Sequence, residues 1–206
     1  MHTPSVALAK QAPTAFELRL TVALGAATFV AALGGLVLVG WAFDEPSLRS
    51  ILRGAVEMKA NTAVALMALS TALGCITISR RNQARSSLPP PRLADLLAVA
   101  VVLIGLATLS EYAFGWDLGI DEFLVRDNGV AFNAARGRMS PYSAVAFAAL
   151  GCSALGLSRR RAAGAVQAGA TVGAAIGIVS ILGYWFDTAE IITDRLAPPV
   201  ALHTAA

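Results

Sequence analysis

The stretch SPYSAVAFAALGCSALGLSRRRAAGAVQAGATVGAAIGIVSILGYWF, residues 140–186, decides the fold. It contains two apolar runs, Ser140 to Ser158 and Ala162 to Phe186, and its only charges are Arg159, Arg160 and Arg161 between them. An α-helix rises about 1.5 Å per residue and the hydrocarbon core of a bilayer is about 30 Å thick, so about 20 apolar residues cross it. Each run has that length, and the basic turn between them makes a hairpin of two membrane-spanning helices. A closed barrel also satisfies its backbone in lipid, but barrel strands alternate apolar and polar residues. These runs are rich in Ala, Leu and Gly and do not alternate.

The same pattern extends through the chain. No charged side chain occurs from Leu20 to Phe43 or from Ala60 to Ser79, and a shorter run, Leu96 to Ser110, continues in apolar residues around Asp95 and Glu111. Of the 206 residues, 56% are hydrophobic and 14% charged, against roughly 25% charged in soluble domains. The expectation is an all-α, polytopic transmembrane helical bundle. Its spans fall at 18–43, 60–79, 93–114, 140–158 and 163–186, after an N-terminal tail over 1–17. A sixth span begins near Pro198 and is cut off at Ala206. The first run is much longer than the roughly 7–15 apolar residues of a cleavable signal peptide.

Orientation follows from the short connections. SRRNQARSSLPPPR (79–92) carries Arg80, Arg81, Arg85 and Arg92 without an acid, and SRRRAAG (158–164) carries Arg159, Arg160 and Arg161. The acids gather in the other connections: Asp44, Glu45 and Glu57; Asp117, Asp121, Glu122 and Asp127; Asp187, Glu190 and Asp194. The positive-inside rule then places the arginine turns and the N-terminus in the cytoplasm. The same topology accounts for the pI near 9.2. Nucleic-acid binding is not expected, because it needs a basic groove interleaved with exposed aromatics.

The spans also form repeated units. With Met58 set on Met139, Ala63, Val64 and Ala65 fall on Ala144, Val145 and Ala146, and Thr62 falls on Ser143. A third copy at the C-terminus, VALHTAA (200–206), sets His203 in the place of Asn61 and Thr204 in that of Thr62. The helix preceding each copy ends on an aromatic-acidic motif: GWAFD (40–44), EYAFGWD (111–117) and GYWFD (183–187). The reading is three outward-and-back hairpins over 18–79, 93–158 and 163–206, the last truncated. Ser140 then Pro141 fits an N-cap followed by N1. The outer segments PSLRSILRGAVEM (46–58) and GIDEFLVRDNGVAF (119–132) have spacings compatible with short amphipathic helices at the membrane surface.

Two readings of the outer residues stand side by side. Trp41, Tyr112, Trp116, Tyr184 and Trp185 fit an aromatic belt at the interface, and Asn61, Tyr142 and His203 fit capping and anchoring. Alternatively these residues, with Asp44, Glu111, Asp117 and Asp187, line a small outer pocket for a ligand or lipid headgroup. Glu111 is the ionisable group most at odds with its apolar surroundings, a functional hypothesis by default. Gly169, Gly173 and Gly177 form a small-residue face, as do Ala144, Ala148 and Cys152, suited to close packing within the bundle or across a dimer. Cys75 and Cys152 read as packing residues. No metal-ligand spacing, phosphate-cradling loop or nucleophile-base pair is present, so no cofactor or metal is expected and no catalytic residue is assigned. The absence of charge from mid-span weighs against a small transporter.

The motifs GWDLGIDEFLVRD…GRMSPYSAVAF…LG, with MKANTAVALMALSTALG (58–74) and ALHTA (201–205), carry a resemblance over roughly residues 35 to 206. The chain resembles the N-terminal multi-helix membrane input region of certain bacterial sensor histidine kinases, diguanylate cyclases and related signalling proteins. The resemblance implies a sensing module in the bacterial inner membrane whose sixth span leads into a cytoplasmic transmitter domain in cis. Its implied partners are membrane lipids and a second copy in a homodimer, or a larger membrane assembly. The sequence departs from that pattern in holding no phosphoacceptor histidine segment, nucleotide-binding glycine motif or cyclase motif. Any kinase or cyclase activity would therefore belong to residues beyond these. The alternative is a stand-alone structural or accessory subunit of a membrane complex.

Overall fold

The computed structural model describes residues 14–50, 56–83, 92–127, 136–161 and 163–185. Their elements are helices α1 (Ala15–Ala42), α2 (Pro46–Arg49), α3 (Ala60–Gln83), α4 (Arg92–Phe114), α5 (Pro141–Ser158) and α6 (Ala163–Trp185). All but α2 are long and apolar enough to cross a membrane. The all-α bundle expected from the uncharged runs is therefore what forms.

Local chemistry sets the helix ends. α1 starts ahead of the apolar run because Thr14 and Glu17 form a capping box: the Glu17 amide donates to Thr14 Oγ1 at 3.2 Å and the Thr14 amide to Glu17 Oε2 at 3.1 Å. α5 starts where expected, with Ser140 Oγ accepting the Ser143 amide at 3.1 Å and Pro141 in the first turn. α3 runs past residue 79 because Arg80 and Arg81 continue the helix into the basic connection. Large side chains such as Phe29, Leu103 and Val179 point away from the bundle. In lipid that is their favoured exposure, since spanning helices hide their backbone and not their side chains.

α1 packs on α3, α4 on α5 and α5 on α6, while α3 also touches α4 and α5. The first two pairs are built alike. A Cβ added to Gly34 would lie 3.1 Å from the Ala63 carbonyl oxygen and 2.8 Å from Met67 Cγ. A Cβ on Gly105 would lie 2.7 Å from the Ala144 carbonyl oxygen and 2.9 Å from the Ala148 amide nitrogen. Ala63 and Ala144, like Met67 and Ala148, occupy matching places when Met58 is set on Met139. In both hairpins a glycine thus lets the backbones come together, a gain in dispersion that lipid tails cannot supply.

Ala144 and Ala148 lie on the α4-facing side of α5, but Cys152 does not. Cys152 is exposed and free, and buried Gly151 continues that face against Val102 and Ala98. Seven residues return a helix to within about 20° of the same face, whereas eight overshoot it by about 80°. Cys75 is half-buried and also free. Gly169 and Gly173 pack within the bundle: their Cβ positions would meet the Ala149 carbonyl oxygen at 2.6 Å and Leu150 Cγ at 2.8 Å. Gly177 lies on the same half-buried stripe of α6.

The connecting segments meet expectation in part. The first forms the short helix α2 before Ser50 turns extended, and its residues 51–55 lie outside the described residues. In the second, residues 115–127 contain no helix. Gly119 takes a φ of +68° there, and Asp121 and Asp127 turn inward to ion pairs that compete with helix formation.

Candidate functional site

The end of the bundle away from the arginine turns begins with two buried methionines. Met58 and Met139 precede α3 and α5 and are almost fully buried. Trp41 Nε1 donates to the Met58 carbonyl oxygen at 2.9 Å, and the Tyr112 hydroxyl donates to the Met139 carbonyl oxygen at 3.0 Å. A guanidinium stands over each ring: Arg49 lies 4.2 Å from the Trp41 centroid and Arg138 lies 5.5 Å from that of Tyr112. Trp41 is accordingly a buried latch of the first hairpin, not a member of an interfacial belt.

Arg138 anchors the main cluster. Glu111, 1% exposed near the end of α4, accepts the Leu118 amide on Oε1 at 2.9 Å and lies 3.4 Å from Arg138 Nε through Oε2. Asp121, 7% exposed, accepts Arg138 Nε at 2.6 Å on Oδ2 and Asn61 Nδ2 at 3.2 Å on Oδ1. Gly137 makes this approach possible. At φ +68° its missing side chain leaves room for the Asp121 carbonyl oxygen, which would sit 2.6 Å from a Cβ. Alongside, Lys59 Nζ pairs with Asp127 Oδ2 at 2.6 Å, and the Gly137 amide donates to the same oxygen at 3.1 Å.

The buried carboxylates Glu111, Asp121 and Asp127 lie against Lys59 and Arg138. Burial pushes the Asp121 carboxyl up to about 6, against the lowering effect of the Arg138 bond and with Glu111 adding to the rise. Asp121 is thus placed to change charge close to neutral pH. Oxygens of Glu111, Asp117 and Asp121 approach within 4.8 Å of one another, near enough for a cation. The Arg138 guanidinium already sits against two of them, so the geometry is that of an internally neutralised cluster. Among the described residues nothing pairs a nucleophile with a base.

Asn61, Glu111 and Tyr112 are therefore brought together, with exposed Asp117 beside them. Its carboxylate accepts the Gly119 amide at 2.9 Å. Tyr142, 40% exposed, stays outside the cluster. Asp44 belongs to the first hairpin, where it pairs with Arg49. Trp116 and Trp185 are exposed, as belt residues would be, and Trp116 leans on Phe114 with ring centroids 4.9 Å apart. The Tyr184 side chain, Asp187, His203 and Arg85 lie outside the described residues. Lys59, Asp121, Asp127 and Arg138 are residues of this cluster that the motif comparison alone misses. The signal for Arg138 is in the sequence nonetheless: an acid such as Glu111 at the end of an apolar span needs a basic partner, and Arg138 sits just ahead of the next span.

At the opposite end, Arg80 Nη2 donates to the Leu157 carbonyl oxygen at 2.8 Å, and Arg159 lies 3.4 Å from Asp95. Arg80, Arg81, Arg159, Arg160 and Arg161 thus gather at one end of the bundle, across from the acidic cluster. Compared with family models, curated proteins and solved structures, the chain matches none of them.

Proposed function

We propose that this chain is the membrane-integral input module of a bacterial inner-membrane signalling protein, its N-terminus cytoplasmic, relaying a change at its outer face to a cytoplasmic transmitter in cis. The observation that supports it is the buried ionic cluster linking the two hairpins. Lys59 leads into α3 of the first and Asn61 lies in its first turn, while Asp121 and Asp127 belong to the loop of the second. Signal relay requires two packings with different affinity for a stimulus. A buried ionic cluster with an acid titrating near neutrality gives such packings a charge-dependent free-energy difference. The resemblance in the outer motifs and the arginine turns agree with this reading. A stand-alone scaffold would offer its small-residue faces to partners, but Gly169, Gly173, Ala144 and Ala148 are used inside the chain.

The test is a fusion of residues 1–206 to a histidine-kinase transmitter stripped of its own input, assayed for autophosphorylation in membrane vesicles. Phosphorylation is expected to shift as the outer pH crosses 6 in the parent fusion and to stay level in Asp121→Asn. A level that ignores both the outer pH and the substitution favours the scaffold.

A further inference from the structure

The first two hairpins close by one rule of spacing. The glycine at each close approach stands seven residues before the aromatic residue near its helix end, Gly34 before Trp41 and Gly105 before Tyr112. Each glycine meets the carbonyl oxygen of the residue five places after the buried methionine, Ala63 after Met58 and Ala144 after Met139. The aromatic side chain donates to that methionine's carbonyl, across 17 residues in the first hairpin and 27 in the second. Seven residues are nearly two helical turns, so glycine and aromatic share a face to within about 20°. One face of each outgoing helix therefore makes both contacts with the returning one.

α6 carries the same spacing, since Gly177 stands seven residues before Tyr184. The two earlier glycines of its stripe are taken up by α5, Gly169 against Ala149 and Gly173 against Leu150. Residues four apart turn by about 40° around a helix, so Gly177 points about 80° away from the direction in which Gly169 meets α5. Ile181, one step further round, is exposed among the described residues.

The sequence beyond α6 holds the matching half. Residues 186–206 lie outside the described residues, but their register is fixed by the repeat. Val200 follows Tyr184 by 16 residues, close to the 17 that separate Trp41 from Met58. With Val200 in the methionine place, Ala205 falls in the place of Ala63 and Ala144. We infer that the Gly177 face of α6 is a docking surface for this chain's own residues 200–206, which return along it with the Ala205 backbone against Gly177. Lipid gives no hydrophobic reason to cover an apolar face, so a close backbone approach at a small residue is what holds such a pair. The chain supplies that approach at the separation its first hairpin uses, without a second copy. The inference does not depend on the signalling reading.

The experiment is oxidative disulfide cross-linking of the full chain in membranes, with Cys75→Ala and Cys152→Ala as background. Gly177→Cys with Ala205→Cys is expected to form a disulfide within single chains, located by mass spectrometry of the monomer band. Its yield should exceed by about tenfold that of Val179→Cys with Ala205→Cys, whose α6 position lies about 160° round the helix. Ile181→Cys with Leu202→Cys leaves Gly177 intact and should cross-link as well, so a glycine site distorted by its own substitution does not hide the contact. Gly34→Cys with Ala63→Cys, across the approach already seen, calibrates the yield. Absence of both α6 disulfides in membranes where the calibrating pair forms would overturn the docking. Disulfides found only between chains would give the face to a second copy and overturn it too, and equal yield from Val179→Cys would remove the register.

Discussion

The two hairpins share a frame and differ in their electrostatic finish. In both, a glycine brings the helices together, an aromatic donor holds a methionine carbonyl, and an arginine covers the ring. Gly40 stands just ahead of Trp41 in the first, and Glu111 just ahead of Tyr112 in the second. Arg49 accordingly donates to the Gly40 carbonyl oxygen at 3.2 Å and pairs with Asp44, whose side chain is 94% exposed. Arg138 meets two buried carboxylates instead. One architecture can thus carry either a solvated ion pair of little energetic weight or a desolvated cluster sensitive to every charge in it.

The largest contrast is expected from the two arginines. Arg138→Ala leaves Glu111 and Asp121 buried without their cation and should destabilise the chain by about 3–5 kcal/mol. Arg49→Ala leaves an already solvated carboxylate and should cost about 1 kcal/mol through the lost carbonyl bond and ring contact. Equilibrium unfolding in mixed micelles measures both, and equal losses would end the distinction between the hairpins.

The glycines should differ less. Gly105→Ala drives its Cβ against backbone atoms of Ala144 and Ala148, whereas Gly34→Ala mainly meets the movable Met67 side chain. We expect about 1–3 kcal/mol for the first and under about 1 kcal/mol for the second, in the same assay.

Tyr112→Phe should cost about 1 kcal/mol, the value of one hydrogen bond to a buried carbonyl. Trp41→Phe should cost more, since it also shrinks the ring beneath Arg49. An unaffected Tyr112→Phe would show that the second hairpin is held by its ions alone.

A pH dependence is expected as well. Asp121 titrates at about 6 in the folded chain against an ordinary 3.8, so folding favours its protonated form. That contribution is complete below the ordinary value and is lost as pH rises through about 6. Asp121→Asn should remove this segment of the stability profile, and stability that rises through the same window in the parent would contradict the assignment.

The residues of the two hairpins divide by whether a local pattern reveals their places. Ser140 and Pro141 announce a helix start because capping depends on neighbours in sequence. Glu111 stands out in an apolar run, so its need of a partner is visible, though the partner is not. In sequence Trp41 fits a belt or a pocket equally, because burial depends on which helix passes beside it. Cys152 falls outside the face of Ala144 because helical pitch turns it away from the α4 contact. Residues 119–127 carried an amphipathic spacing, yet inward ion pairs outweighed the helix it suggested.

Length and polarity alone require the five spans, because lipid accepts no unpaired backbone and Asp, Glu, Lys and Arg resist burial there. The recurring motifs, too, are a property of the linear chain. Tertiary packing settles which polar groups meet: Asn61 with Asp121, Lys59 with Asp127, and Arg138 with Glu111 and Asp121. Those pairs join positions far apart in the chain, and their energies depend on distance and desolvation, which exist only once the helices have packed.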